Sequence, residues 1–298
     1  MRFVGSAVTK ELLAHGHTVL GLSRNEENTK ALAAAGAEAH LGSLDDLESL
    51  RSGAISCDGT IHCAFKHGFD TFEASCDTDR AAIEAIGDAY AGTNKPFIVT
   101  SGTLLSDSNG VVGTEDSAGA PEGMLATRRR SEELAVQFAE RGVRSMVLRL
   151  PPTVHGPGDK GFIPSLISIA RKNGFCAYIG EGTSRWPAVY RPDAAQLYRL
   201  ALEKGKAGGR YNATGDEGVS TREISDAIGK GLGVPVVSKT PEEARAVYGF
   251  LGFVLGRDNP TSSQKTRMEL GWQPEGLGLI ADLAGGNYFD ESVKGIFA

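Results

Sequence analysis

Stretches with helical spacing and short apolar runs alternate along the first half of the chain. Val4, Val8 and Leu12 recur every four residues and share one face of a predicted helix, GSAVTKELLA. The run HTVLGLSR follows and predicts a strand, and the same succession repeats up to the strand RSMVLRL. Strands without polar alternation are typical of a parallel sheet that helices cover on both faces. The pattern predicts an α/β fold with a doubly wound parallel sheet.

The predicted elements of this half follow one another with short connections. They are helix GSAVTKELLA, strand HTVLGLSR, helix NEENTKALAAAG, strand AEAHLG, helix DDLESLRSG, strand DGTIHCAF, a helix from about Phe72 to Tyr90, strand PFIVTSGT, a helix from about Leu125 to Glu140, and strand RSMVLRL.

After Pro151 the alternation is looser, and a smaller lobe is predicted. The elements predicted after Pro151 begin with helix GFIPSLISIARKNG, strand CAYIG, helix DAAQLYRLALEKG and strand RYNATG. Ser220 and Glu223 have the S-x-x-E spacing of a capping box for a helix. Thr240-Pro241-Glu242-Glu243 starts another helix in the same way, with Pro in its first turn. We expect one lobe over residues 1–152, to which the chain returns at about 186–215, and a smaller lobe over 153–185 and 216–298.

Composition excludes several classes of protein. With 41% hydrophobic and 23% charged residues the chain is an ordinary globular protein, and its net charge of -6 argues against nucleic-acid or membrane partners. The four cysteines form no C-x-x-C pair, so neither a metal site nor a redox pair is predicted. The chain has no membrane-length apolar run and no signal-peptide core, so we expect a cytoplasmic protein.

Nine segments carry a family resemblance along almost the whole chain. They are FVGSAVTKELLAHGHTVLGLSR, GSLDDLESL, DGTIHCAF, PFIVTSGT, TED with a following Pro, RSMVLRLPPTVHGPGD, WPAVYRPDAAQLY, YNATGDEGVSTREI and TSSQKTRMELGWQP. Their order and spacing resemble the extended short-chain dehydrogenase/reductase superfamily, of the NAD(P)-dependent epimerase/dehydratase type, and most closely its atypical branch. The resemblance implies a Rossmann-type NAD(P)-binding first lobe and a substrate-binding second lobe.

The resemblance places the cofactor at the start of the first lobe. Gly5 matches the last glycine of the family's G-x-x-G-x-x-G turn, which holds the pyrophosphate at a helix N-terminus. Arg2 falls at the second glycine, and the first strand and the first glycine would precede the sequence. Two interpretations stay open at this point: the chain is incomplete, or it is a form that has lost cofactor binding.

Further cofactor positions follow by matching segments. Ser23 and Arg24 end the strand beside the adenosine ribose, where an Arg accommodates the 2′-phosphate, so NADP is predicted in preference to NAD; the alternative is an unrelated surface arginine. The remaining matches are Ser43 and Leu44 at the adenine, Ala64 and Phe65 along the pyrophosphate and nicotinamide ribose, and Pro151 beside the nicotinamide.

The family's acid/base pair, Tyr-x-x-x-Lys, is absent. None of the seven tyrosines has a lysine four residues later, and the expected positions hold Met124 and Arg128, with Glu132 after them. Arg128 stays protonated, so it could polarise a carbonyl or hold an anionic substrate. The alternative is a solvated helix face with an Arg128–Glu132 ion pair. For the family's Ser/Thr we expect Ser101 and Thr103, although the matching position falls on Gly102 and S-G-T is also a good turn.

Other candidates flank the expected substrate pocket. His67 is the predicted proton donor, since histidine titrates near neutral pH, and the alternative is a solvated loop histidine. The predicted lining of the substrate site consists of Lys66, His155, Trp186 and Tyr190. The rings of Trp186 and Tyr190 suit a hydrophobic core equally well.

The sequence therefore predicts an oxidoreductase or epimerase that acts on a carbonyl or alcohol carbon of a small molecule. The alternatives are a non-catalytic dinucleotide-binding or sensor protein and a truncated inactive product. The family resemblance also implies a homodimer through the two long helices.

Overall fold

The computed structural model describes residues 3–66, 71–106, 110–119 and 123–296. The helices are α1 (Phe3–Ala14), α2 (Glu26–Ala34), α3 (Leu47–Ile55), α4 (Phe72–Tyr90), α5 (Met124–Gln137), α6 (Phe162–Asn173), α7 (Arg191–Lys204), α8 (Thr221–Leu232), α9 (Pro241–Tyr248), α10 (Phe250–Leu255), α11 (Gln264–Leu270) and α12 (Leu279–Ala284). The strands are β1 (Leu20–Ser23), β2 (Glu38–Leu41), β3 (Thr60–His62), β4 (Pro96–Gly102), β5 (Arg144–Leu150), β6 (Thr153–His155), β7 (Cys176–Ile179), β8 (Arg185–Tyr190), β9 (Arg210–Asn212), β10 (Asp216–Ser220) and β11 (Val236–Lys239).

A four-stranded parallel sheet in the order β3-β4-β5-β9 is the centre of the first lobe. Strands β1 and β2 form a separate parallel pair, and no ladder joins β1 to β3 within the described ranges. Helices α1 and α7 pack on one face of the four-stranded sheet, while α4 and α5 pack on the other. The predicted α/β class, with parallel strands between helical layers, is confirmed.

The second lobe has strands of both directions. Strand β8 pairs in parallel with β6 and antiparallel with β10, and β7 pairs in parallel with β11. Both predicted capping boxes form: Ser220 with Glu223 at the start of α8, and Thr240 with Glu243 at the start of α9. Strands β6, β8, β10 and β11 were not predicted, because three- to six-residue runs with prolines and polar residues carry little period-two signal.

Three hydrophobic clusters stabilise the fold. One lies in the second lobe and includes Trp186, and the other two lie on opposite faces of the four-stranded sheet. Val8 and Leu12 of α1 belong to the cluster that contains α7, so the face predicted from the sequence is buried. Charged contacts add to this packing, since Arg199 of α7 donates to Glu11 of α1 at 2.8 Å.

Candidate functional site

Two of the predicted catalytic residues, Ser101 and Arg128, lie at one edge of the sheet, at the carboxyl ends of β3 and β4. Ser101 is the penultimate residue of β4, Phe65 follows β3, and Arg128 extends from α5 across this edge. In open α/β sheets, ligands bind outside the carboxyl ends of the strands. The edge is therefore the candidate active site.

Three contacts fix the guanidinium of Arg128. Nη2 donates to the Thr100 carbonyl oxygen at 2.7 Å, Nη1 forms an ion pair with Asp79, and the guanidinium lies 4.5 Å from the centre of the Phe65 ring. Only 14% of the Arg128 side chain is exposed. The predicted alternative, a solvated Arg128–Glu132 pair, does not form, because the two side chains bind different partners.

Asp79 on α4 is the anchor of this arrangement. Its side chain is 1% exposed, and the Nε2 nitrogen of His62 lies 3.0 Å from Oδ1 while Arg128 occupies Oδ2. Burial by itself raises the pKa of the Asp79 carboxyl, but the His62 hydrogen bond and the Arg128 charge outweigh burial and hold that pKa below its usual value. Asp79 is thus a buried carboxylate that balances the charge of Arg128.

Glu132 anchors the neighbouring side of the site. Its buried carboxylate accepts from Ser101 Oγ at 2.8 Å, from Arg149 Nε at 3.0 Å and from Arg210 Nε at 3.0 Å. Burial raises the pKa of Glu132, and the hydrogen bond and charge of Arg149, with the Ser101 bond, outweigh it, so the pKa is lowered. Arg149 also donates to Ser106 and to nearby loop carbonyls, so it is fixed on several sides.

These bonds limit what the two predicted hydroxyls can do. A serine hydroxyl has one hydrogen to donate and lone pairs with which to accept. Ser101 gives its hydrogen to Glu132, so it can accept a hydrogen bond from a substrate hydroxyl but cannot donate to a carbonyl oxygen. Thr103 is fully buried and donates to Asn259 Oδ1 at 2.9 Å, while Asn259 Nδ2 donates back to the Thr103 carbonyl at 3.0 Å. Thr103 therefore connects this edge to the second lobe.

The residues predicted for the cofactor lie around the same end of the first lobe. Gly5 lies in the first turn of α1, which has no acidic residue there, and a Cβ added at Gly5 would meet open space. Ser23 is buried and donates to the Asn25 carbonyl at 2.8 Å, whereas Arg24 is exposed.

Ser43 accepts from the Asp45 amide at 3.2 Å. Leu44 packs beside the cluster of α3 and α4, Ala64 precedes Phe65 in the segment after β3, and Pro151 is buried at the end of β5.

The predicted substrate residues separate into different surroundings. His155 and Tyr190 meet with ring centres 5.6 Å apart at a cavity of about 200 Å³ that Asp193, Asp216 and the 274–278 loop also line. His155 is fully buried, with Nδ1 2.8 Å from Asp282 Oδ2.

Trp186 lies elsewhere: it is buried in the core of the second lobe and donates from Nε1 to the Val254 carbonyl at 3.1 Å. Lys66 is exposed and pairs with Asp45. His67 lies outside the described residues, so its role stays a prediction.

Sequence reasoning missed Asp79, His62 and Arg149 as members of the site. Asp79 and His62 are separated from Arg128 by tens of residues in sequence, and no local spacing relates them. The available signal was a polar residue among buried apolar ones: His62 and Arg149 interrupt strands, and Asp79 shares one helix face with Cys76, Ile83 and Ile86. A buried polar residue of this kind requires a partner.

Neither a metal-binding cluster nor a membrane-spanning helix is present among the described residues. No group of three or more histidine, cysteine, aspartate or glutamate side chains there could hold a metal ion. No helix within the described ranges is both long and apolar enough to cross a membrane.

Comparisons with known proteins give the family. A 4-hydroxy-2-methyl-3-oxo-4-farnesyl-3,4-dihydroquinoline-1-oxide ketoreductase of Stigmatella aurantiaca is 25% identical over 300 residues, which cover 91% of this chain and 89% of that protein. An uncharacterized protein of Schizosaccharomyces pombe is 48% identical over 287 residues, which cover 96% of this chain and 97% of that protein.

Among solved structures, a dTDP-glucose 4,6-dehydratase of Streptomyces venezuelae with NAD and TYD bound is similar in fold. Its TM-score is 0.76 at 18% identity, over 96% of this chain and 93% of that one. The sequence profile of the NAD dependent epimerase/dehydratase family matches residues 2–214. As the resemblance to extended short-chain dehydrogenases/reductases predicted, the chain belongs to the NAD-dependent epimerase/dehydratase family.

Proposed function

We propose that the protein is an NAD(P)-dependent oxidoreductase that interconverts a carbonyl and an alcohol on a small molecule, with NADP(H) as the preferred cofactor. The observation that carries this proposal is the fixed guanidinium of Arg128 at the carboxyl ends of β3 and β4, beside Ser101. The ketoreductase relative supports a reductase rather than an epimerase.

The described residues fit a dinucleotide along this edge. The first turn of α1 has no acidic side chain, and the space at Gly5 is open, so the helix N-terminus can accept an anionic group. The exposed Arg24 at the end of β1 is available to a 2′-phosphate. Phe65, held against Arg128, would lie along the nicotinamide ribose. When bound, the nicotinamide supplies or accepts the hydride.

In this proposal Arg128 is the hydrogen-bond donor that polarises the substrate carbonyl. A guanidinium has five N–H groups, and the Asp79 and Thr100 bonds use one on each of Nη1 and Nη2. Another N–H donates to the carbonyl oxygen and stabilises the negative charge that develops there as the carbon gains a hydride. Arg128 does not release a proton at working pH, so the proton comes from another group, for which we propose His67.

In this proposal Ser101 accepts a hydrogen bond from the substrate. Because its hydrogen is committed to Glu132, its oxygen accepts from the hydroxyl of an alcohol substrate. In the oxidation direction this contact orients the alcohol substrate. In the reduction direction it orients the alcohol that is formed. The tight Glu132–Arg149 pair holds the serine in this role.

The test is oxidation of NADPH and NADH by a panel of aldehydes and ketones, followed through the absorbance of the reduced nicotinamide. We expect turnover by the wild type and a loss of about a hundredfold or more in Arg128→Gln, as for removal of one transition-state donor. The matched control is Arg130→Gln, which changes an exposed arginine on the same helix. Equal activity of the two variants would contradict the role of Arg128.

A second candidate is a dinucleotide-binding protein without catalysis. It is favoured by Met124 at the position where the family has its tyrosine, since a thioether cannot transfer a proton. Saturable NADPH binding by fluorescence, together with no turnover of any carbonyl compound, would favour this candidate over the oxidoreductase.

A further inference from the structure

We infer that the site selects neutral carbonyl compounds against carboxylate-bearing ones such as 2-oxo acids, and that Asp79 is the residue that sets this selection. The inference rests on the proposed function and names the substrate class of the same site. An arginine in an active site commonly attracts an anion, so the charge state around Arg128 decides between the two substrate classes.

The positive charge of Arg128 is balanced by a carboxylate in direct contact. Its guanidinium is in direct contact with the Asp79 carboxylate, which is 1% exposed and therefore little screened by water. The pKa of Asp79 is held low, so the carboxylate is ionised at neutral pH. A substrate carboxylate placed on Arg128 would meet a cation that is already balanced and an anion in contact with it.

The other cations near Arg128 also contact carboxylates. Arg149 is 2% exposed and shares the carboxylate of Glu132, which is 3% exposed, with Arg210. At the rim, Lys66 pairs with Asp45. Arg128 and Lys66 therefore each have a carboxylate of their own, and the positive charge left over on the Arg149–Arg210 pair belongs to the Glu132 side of the site.

Arg128 can still donate hydrogen bonds to a neutral substrate. Arg128 keeps N–H groups beyond those given to Asp79 and Thr100, and they can donate to a carbonyl oxygen without an ion pair being formed. His62 holds the second oxygen of Asp79, which prevents the carboxylate from rotating away from Arg128. Asp79 is accordingly a positioning residue that keeps Arg128 as a donor and cancels its attraction for anions.

The experiment compares two ketones that share one reacting carbon. Methyl benzoylformate is neutral, and benzoylformate carries a carboxylate in place of the ester. Reduction of either adds one hydride from the reduced nicotinamide to the ketone carbon and one proton to its oxygen, and the cofactor leaves oxidised. The quantity measured is the ratio of kcat/KM for the ester to kcat/KM for the acid.

For the wild type we expect a ratio above about tenfold. In Asp79→Asn the uncompensated guanidinium should lower this ratio by about tenfold to a thousandfold, the range expected for one unit charge at contact distance between water-like and protein-surface screening. Asp77→Asn is the matched control, because it is the same change at an exposed site on the same helix, and its ratio should equal that of the wild type. Asp79→Glu keeps the charge and should keep the ester preference even where its rates are lower.

Several results would overturn the inference. They are a wild type that prefers benzoylformate, an unchanged ratio in a folded Asp79→Asn, and an Asp79→Glu variant that shifts as far as Asp79→Asn. If Asp79→Asn fails to fold, the ratios of the wild type and of Asp79→Glu still decide the question. Absence of turnover of both ketones by the wild type refutes the proposed function; calorimetric binding of the two ketones then tests the charge preference by itself, with tighter binding of benzoylformate counting against it.

Discussion

Replacement of Glu132 tests whether the buried charge pair at the site stabilises the fold. In Glu132→Gln the side chain keeps its shape and one acceptor oxygen, but the guanidinium of Arg149, 2% exposed, loses its counter-ion. Loss of one partner of a buried ion pair costs about 3–5 kcal/mol. The glutamine oxygen can still accept from Ser101 and Arg149 Nε, but its amide N–H groups then face the donors Arg149 Nη2 and Arg210 Nε. We therefore expect a loss within this range, ~3–5 kcal/mol of unfolding free energy.

The adjacent residue provides a matched control on the same helix. Glu133 is 45% exposed and pairs with Arg129 at 3.0 Å, one helical turn away. Such exposed pairs contribute about 0.3–0.5 kcal/mol, so Glu133→Gln should be close to the wild type, and its small effect should disappear in high salt.

The assay is urea unfolding at pH 7, followed through the fluorescence of Trp186 and Trp272, both fully buried. Equal midpoints for Glu132→Gln and Glu133→Gln, or a loss below ~1 kcal/mol in Glu132→Gln, would refute the reasoning, since the pair would then contribute no more than an exposed one.

Two further predictions concern cofactor choice and pH. Arg24→Ala should raise KM for NADPH about tenfold, as for loss of a charged hydrogen-bond donor worth ~1.5 kcal/mol, and should leave KM for NADH unchanged; equal changes for both cofactors in steady-state assays would contradict a role at the 2′-phosphate. Burial raises the pKa of Asp159 to about 6 from 3.8, against the opposing hydrogen bonds from Gly161 and Tyr288. The folded protein therefore keeps this proton where the unfolded chain has lost it, so stability falls as pH rises from about 4 to 6, by up to ~3 kcal/mol from this group. Asp159→Asn should remove this part of the pH dependence, and a wild-type-minus-variant difference that is constant between pH 4 and 7 in urea unfolding would contradict it.

Local sequence determined the elements that have a strong period or a strong terminal signal. The long helix Phe72–Tyr90 and the strand Arg144–Leu150 were predicted with the bounds that the structure shows. The capping boxes at Ser220 and Thr240 were predicted from four residues each. These signals are readable because the residues that decide them are neighbours in sequence.

The candidate site could be predicted only in part. Ser101 became a candidate from its position at the end of β4, because parallel strands present their carboxyl ends at one edge, and Arg128 became a candidate from family spacing. The chemistry that each can perform depends on partners that spacing does not reveal. Ser101 gives its only hydrogen to Glu132, and Arg128 is balanced by Asp79 rather than by the Glu132 one turn away.

By itself, the sequence determined the α/β class, the family and the edge of the sheet at which chemistry is expected. Only the tertiary structure decided that Trp186 belongs to the core, that Thr103 connects to Asn259, and that a buried aspartate sets the charge at the site. The physical reason is distance along the chain: secondary structure depends on neighbouring residues, whereas hydrogen-bond partners and charge balance depend on residues that only folding brings together.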